Sequence, residues 1–155
     1  MPDPASASHS TPGTPARIDP RGPRFAAGLT TLVLLLALAT GSGALLVAQA
    51  VVFALGAVLG VRRSPYGWLY RRLVSPRIRP PQELEDARPP RFAQAVGLGF
   101  AAVGAAGYLS GATWLGITAG AAALAAAFLN AAFAYCLGCE LYLLAVRGRA
   151  RLGHG

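Results

Sequence analysis

The sequence predicts an all-α membrane protein with four transmembrane helices. They are expected to form two parallel helical-hairpin repeats, with short interfacial helices after the second and fourth spans. Three observations carry this expectation. The chain has 155 residues, 54% hydrophobic and only 13% charged, where a soluble domain carries about a quarter charged residues. The deficit is concentrated in residues 25 to 61 and 92 to 135, which contain no Asp, Glu, Lys or Arg. Finally, Arg21-Gly22-Pro23-Arg24-Phe25-Ala26 recurs as Arg88-Pro89-Pro90-Arg91-Phe92-Ala93. After each copy come an apolar run, a Gly/Ser turn, a second apolar run and a basic segment containing aromatics.

A helix crosses a hydrocarbon core of about 30 Å with roughly 17 to 25 apolar residues, so each charge-free region holds two crossings. The expected spans are residues 25 to 40, 44 to 61, 92 to 109 and 114 to 136, within a membrane domain of residues 24 to 146. Residues 1 to 23 are rich in Pro, Ser, Ala and Thr and poor in large apolar side chains. Such a composition cannot offset the entropy of ordering, and a disordered tail is expected. Gly41-Ser42-Gly43 supplies the first turn and Ser110-Gly111-Ala112-Thr113 the second. Residues 62 to 91 form the one sizeable hydrophilic loop. Its first part, Pro65 to Val74, mixes Tyr66, Trp68, Tyr70, Arg71 and Arg72 and reads as a short helix on the membrane surface. Its second part, Pro76 to Pro90, reads as an extended, proline-rich strap carrying Glu83, Glu85 and Asp86. Residues 147 to 155 form a basic C-terminal tail.

Fourteen arginines and no lysine, against six acids, give a net charge of +8. A basic balance also marks nucleic-acid binders. Here the arginines border the apolar segments, so topology and lipid headgroups account for them and no nucleic-acid partner is expected. Eight lie in the central loop, three in each tail and none in the short turns. The positive-inside rule then puts the loop and both termini on the cytoplasmic side of the cell membrane. A competing reading makes the first apolar run a secretory signal cleaved after Ala37-Leu38-Ala39. The internal repeat argues against it, because cleavage would discard half of a repeat unit.

Cys136 and Cys139, the only cysteines in the chain, carry the chemistry of their own that the sequence offers. Three residues apart on a helix, they share a face and approach the Cα separation of a disulfide. A reversible disulfide, a persulfide or a pair of metal thiolates would all use that spacing. The plainer alternative is that both are small apolar side chains packed at a helix end. At the C-terminus of the fourth span the helix dipole disfavours a thiolate, and Glu140 adds a full negative charge. A left-handed break at Gly138 would reverse that field, starting a surface helix over Glu140 to Val146 with Cys139 as the more reactive thiol. Because the cytosol is reducing, a resting dithiol is expected.

Other chemistries are poorly served. Glu140 stands where a haem-attachment motif needs His, and zinc needs two more ligands when the only histidines are His9 and His154. No metal and no cofactor is therefore expected, unless a homodimer brings two cysteine pairs together. The spans hold Gln49, Gln94 and Asn130 but no ionisable side chain, which disfavours a proton- or ion-coupled pump. Gln49 and Asn130 are expected to bond between helices. The Gly-x-x-x-Gly pairs at 56/60, 107/111 and 116/120 suit close helix packing, and Trp68 and Trp114 suit interfacial anchors.

Several separated motifs resemble a known family. They are Arg62-Arg63-Ser64-Pro65-Tyr66-Gly67-Trp68, the segment from Glu83 through Arg88-Pro89-Pro90-Arg91-Phe92-Ala93-Gln94, and Leu129-Asn130-Ala131 leading to Tyr135-Cys136-Leu137-Gly138-Cys139-Glu140-Leu141-Tyr142. In this order they resemble the bacterial integral membrane family called domain of unknown function 4395, over about residues 18 to 146. The resemblance implies four spans, a Cys-Leu-Gly-Cys signature and no established activity. It also implies an association with thioredoxin-like or rhodanese-like proteins. The leading expectation is a thiol redox or sulfur-transfer component, with Cys136 and Cys139 as the reacting pair and Glu140 as modulator. The rival is a non-enzymatic membrane scaffold or assembly subunit in which the cysteines only pack.

Overall fold

The computed structural model describes residues 16 to 153; residues 1 to 15, including His9, and residues 154 and 155 lie outside this range. The architecture is all-α apart from one short strand pair. Helix α1 (Arg21–Thr40) and helix α2 (Gly43–Leu59) form the first hairpin. Helix α3 (Pro65–Leu69) opens the central loop, which continues as a wide turn through Tyr70–Val74. The second hairpin is α4 (Arg88–Leu109) and α5 (Thr113–Phe133), followed by α6 (Leu137–Leu152). Strands β1 (Arg17–Ile18) and β2 (Glu85–Asp86) pair antiparallel, with Arg17 opposite Asp86 and Ile18 opposite Glu85.

Three helices, α1, α4 and α5, are long and apolar enough to cross a membrane, whereas α2 is apolar but has 17 residues. At 1.5 Å per residue α2 spans about 26 Å. The outer faces fit lipid and not water: Leu32, Leu36, Val58, Leu109 and Trp114 are all more than half exposed. This is the surface of a membrane protein.

Both hairpins begin a turn earlier than the charge-free runs, at Arg21 and Arg88. The loss of charge marks where lipid begins and does not mark where the helix begins. Asp19 and Asp86, one residue before the N-caps Pro20 and Ala87, each accept the backbone N–H two residues on, at 2.9 Å, and so satisfy the first N–H of each helix. Proline in the first turn is tolerated because its missing N–H would have no partner there. Residues 16 to 23 are therefore ordered, against the expectation of a disordered tail to residue 23. Ile18 is buried, and Asp19 accepts a 2.8 Å hydrogen bond from the Tyr70 hydroxyl. The strap is likewise held down, since the Arg21 guanidinium donates to the Arg79 carbonyl at 3.0 Å.

Helix α1 packs on α5 and α2 on α4, around a small core of Leu34, Ala37, Leu46, Ala105 and Ala123. Small residues let backbones meet. A Cβ placed on Gly107 would lie 2.5 Å from the Gly116 nitrogen, so the α4–α5 contact is backbone against backbone. Gly60 and Gly111, by contrast, are turn residues with positive φ (92° and 82°) and do not pack helices. Gln49 does bond between helices, as expected: its amide donates to Thr30 at 3.3 Å and accepts from the Tyr66 hydroxyl at 2.9 Å. Asn130 does not; its side-chain amide has no hydrogen-bond partner among the described residues.

Candidate functional site around Cys136 and Cys139

The break that creates the site falls earlier than the sequence suggested. Helix α5 stops at Phe133 because Ala134 adopts the left-handed conformation, with φ 55°. The Ala134 N–H then donates to the Asn130 carbonyl at 3.1 Å, and the Tyr135 N–H to the Leu129 carbonyl at 3.3 Å. These bonds satisfy the last carbonyls of the helix. A left-handed residue is normally Gly, so Ala134 gives no compositional signal. Gly138 was the visible candidate, but it lies in the first turn of α6. Its role is steric: a Cβ there would sit 2.6 Å from both Cα and Cβ of Ala93, so α6 lies directly against α4.

Cys136 is the N-cap of α6, in an extended conformation (φ −91°, ψ 98°). Its Sγ accepts the Cys139 N–H at 3.3 Å, as a capping side chain does. The two Cα atoms are 5.2 Å apart and the sulfurs are paired as a disulfide, where the sequence led to a resting dithiol. That expectation came from the redox poise of the cytosol; the pairing comes from local geometry, because an N-cap side chain points towards residue N3. Both sulfurs thus sit at the positive end of a helix dipole, and neither lies at the negative end of α5. Glu140 is exposed in the same first turn, and its N–H donates to the Cys136 carbonyl at 3.0 Å. Helix α6 runs on to Leu152, so the arginines expected in a C-terminal tail are helical.

Phe92 of α4 meets Tyr142 of α6 at 5.7 Å between ring centroids, inclined by 51°. Together with Gly138 on Ala93, this contact fixes the first turn of α6 over the start of α4. A cavity of about 360 Å³ lies beneath it, between the helices. Cys136 lines this cavity and Cys139 does not. Its walls are mainly apolar, with the polar side chains of Thr30, Gln94 and Asn130 among them.

A family model described as a domain of unknown function, DUF4395, matches residues 18–147. The chain belongs to this family. No curated protein and no solved structure matches it. The family match covers both hairpins, the central loop and the first two thirds of α6, so Cys136, Cys139 and Glu140 all lie within the family domain.

A second cap resembles the cysteine site. Ser64 is the N-cap of α3, and its Oγ accepts the Gly67 N–H at 3.1 Å. Three residues further on, Tyr70 meets Phe25 at 5.8 Å and 50°, as Tyr142 meets Phe92. The cap, cap+3 and cap+6 positions are thus Ser64, Gly67 and Tyr70 in one half and Cys136, Cys139 and Tyr142 in the other. This shared spacing was present in the sequence and would have located the start of α6. Tyr70 is also the most perturbed group outside the spans. Burial and the neighbouring Asp19 carboxylate push its hydroxyl up to about 12. Burial opposes ionisation of Asp19, but the Arg21 N–H, the Tyr70 hydroxyl and the Arg21 guanidinium outweigh it and hold the carboxyl below its ordinary range.

Among the described residues no group of three or more His, Cys, Asp or Glu side chains could hold a metal. Trp68 is exposed with the Arg72 guanidinium 5.8 Å from its ring centroid, and Trp114 is exposed at the opposite end of α5 from Cys136.

Proposed function

We propose that the protein is a thiol redox component of the cell membrane, working through reversible opening of the Cys136–Cys139 disulfide. The observation that carries this is the placement of Cys136 as N-cap of α6, with its sulfur accepting the Cys139 N–H. A helix N-terminus favours an anionic sulfur, so Cys136 is the better leaving group when the disulfide is attacked. An incoming dithiol would attack Cys139, forming a mixed disulfide there and releasing the Cys136 thiolate. The second partner thiol then displaces Cys139, leaving the protein as a dithiol and the partner oxidised. This assignment gives the low-energy thiolate to Cys136, where the sequence reading gave the reactive role to Cys139. The partner is a thioredoxin-like or rhodanese-like cytosolic protein, and the basic central loop offers it a docking surface. Glu140 tempers the thiolate by its charge.

The reading rests on four spans in two repeats, with both termini cytoplasmic. The packing supports a two-fold relation along the membrane normal. Contacts α1–α5 and α2–α4 exchange under such an axis, as do the two hairpins. The residue shift that carries Arg21 to Arg88 carries Asp19 to Asp86, Phe25 to Phe92 and Ile18 to Glu85. Ile18 and Glu85 are themselves paired between β1 and β2, as expected where such an axis passes. Arg24 and Arg91 also act alike: each guanidinium donates to carbonyls near the end of a neighbouring helix, Ala131 of α5 and Ala57 and Val58 of α2.

The test is trapping in intact cells. The disulfide form should be captured as a mixed disulfide through Cys139 by a thioredoxin-type partner lacking its resolving cysteine, with Cys136 leaving as the thiolate, and mutating either cysteine should abolish the capture. Differential alkylation with permeant and impermeant reagents should find both thiols on the cytoplasmic side. If nothing is captured and the double Ser variant keeps full function, the cysteines only pack and the protein is a scaffold.

A further inference from the structure

A dithiol formed by the exchange just proposed must pass its electrons on, and the cavity under Cys136 offers a place. We propose that this cavity binds the ring of a membrane quinone, which reoxidises the Cys136–Cys139 dithiol. The inference rests on the cysteine pair being redox-active and names its second substrate.

Four observations point to this chemistry. The cavity, about 360 Å³, falls in the range of small-molecule sites. It reaches from Pro23 to Thr30 along α1, about 10 Å of helix, so it extends from the helix starts into the depth of the apolar spans. Its wall includes the aromatic rings of Phe53 and Phe100, suited to a flat ring. Finally, it holds side-chain amides with donors to spare. Gln94 lies across Gly56 of α2, whose missing Cβ makes the room, since a Cβ there would be 2.6 Å from the amide oxygen. Neither Gln94 nor Asn130 has a side-chain hydrogen bond among the described residues, although both line the cavity. Both residues are only partly buried, and no buried side-chain nitrogen or oxygen among the described residues lacks a partner, so these amides are open to a ligand in the cavity. A quinone presents two carbonyl acceptors to such donors, whereas a lipid acyl chain presents none. The cysteine that lines the cavity is Cys136, the residue that partner exchange releases as a thiolate.

The electron balance closes. The Cys136 thiolate adds to the quinone ring, and the Cys139 thiolate then attacks the Cys136 sulfur. The S–S bond forms as the C–S bond breaks, and two electrons stay on the ring. Two protons, equal in number to those of the two thiols, complete the quinol. The dithiol is oxidised and the quinone reduced.

The experiment uses the full chain in lipid nanodiscs, reduced and freed of reductant, with ubiquinone-1 as probe. Its fully substituted ring limits simple alkylation of thiols. The expected result is reduction of one ubiquinone-1 per chain, with saturation in quinone and formation of the Cys136–Cys139 disulfide. Gln94→Leu should weaken the apparent affinity about tenfold, the loss of one good hydrogen bond. Ala126→Phe, which fills the cavity, should abolish the reaction. Both variants should still exchange with a reduced thioredoxin-type protein at the wild-type rate, which establishes that they are folded and keeps the two proposals separate. The inference is overturned if the wild-type disulfide exchanges with the dithiol protein while ubiquinone-1 stays oxidised. It is equally overturned if the cavity variants reduce the quinone as wild type does, or if only phospholipid occupies the cavity by native mass spectrometry with ubiquinone-1 in excess. Loss of thioredoxin exchange in the wild type would instead remove the parent reading.

Discussion

The seat of α6 on α4 can be tested with two glycines of one helix. Gly138 and Gly148 both lie in α6. A Cβ at Gly138 would stand 2.6 Å from Ala93, about 0.8 Å short of the 3.4 Å where ordinary contact begins, and one of the atoms met is backbone. No side-chain rotation relieves that, so α6 must shift or its first turn must open. Overpacking of this kind costs about 1–3 kcal/mol, while replacing Gly by Ala in a helix returns up to about 1 kcal/mol. Gly138→Ala should therefore destabilise the docked helix by about 1–2 kcal/mol. Gly148 meets nothing within 4 Å, so Gly148→Ala carries the helical gain alone and should stabilise by about 0.5–1 kcal/mol. Hydrogen exchange of α6 amides in nanodiscs measures both. The rate at which dithiothreitol reduces the disulfide gives a second readout, faster in Gly138→Ala and unchanged in Gly148→Ala. Equal protection in the two variants would refute the claim that Gly138 is required by the approach to Ala93 and would detach the cysteine site from α4.

Three further outcomes follow from the same geometry. Ala134→Gly should raise thermal stability by about 1 kcal/mol, because the left-handed conformation costs an L-residue about that much and costs Gly little; a thermal melt showing a loss would mean the α5 end is built otherwise. Asp19 and Tyr70 make stability depend on pH in two windows. The Asp19 contribution is complete above its ordinary value of 3.8 and is lost as pH falls through its depressed value. The Tyr70 contribution is complete below about 10 and is lost as pH rises from 10 to about 12. In Tyr70→Phe the Tyr70 part of the alkaline loss should vanish, leaving that of Tyr66, whose hydroxyl burial also raises, and stability at pH 7 should fall by about 1.5–3 kcal/mol, read from denaturant melts across pH. Glu140→Gln should speed alkylation of Cys136 at neutral pH by about twofold at low ionic strength, an advantage that salt removes. An unchanged rate would show that the carboxylate does not act on the sulfur.

Much of the architecture was legible because membrane solvation writes itself into composition. The charge-free runs, their lengths and the two turns located both hairpins. The boundaries were less legible for a definite reason. Loss of charge reports where water ends, whereas Asp19 and Asp86 bond the first N–H of helices that start a turn outside that limit. The cysteine pair was visible as a motif, and its environment was not. An alanine in the left-handed conformation has no compositional mark, so Gly138 drew the break that Ala134 makes.

By itself, then, the sequence determined the helical class, the apolar runs, the repeat and the presence of a Cys-x-x-Cys pair near the end of the last run. These are properties of local composition and spacing. Only the tertiary structure decided which end of which helix dipole the sulfurs occupy, what Gly138 touches, and that Cys136 faces a cavity with Gln94 and Asn130 in its wall. Each depends on one backbone reversal and on contacts between residues far apart in the chain, which no local pattern encodes.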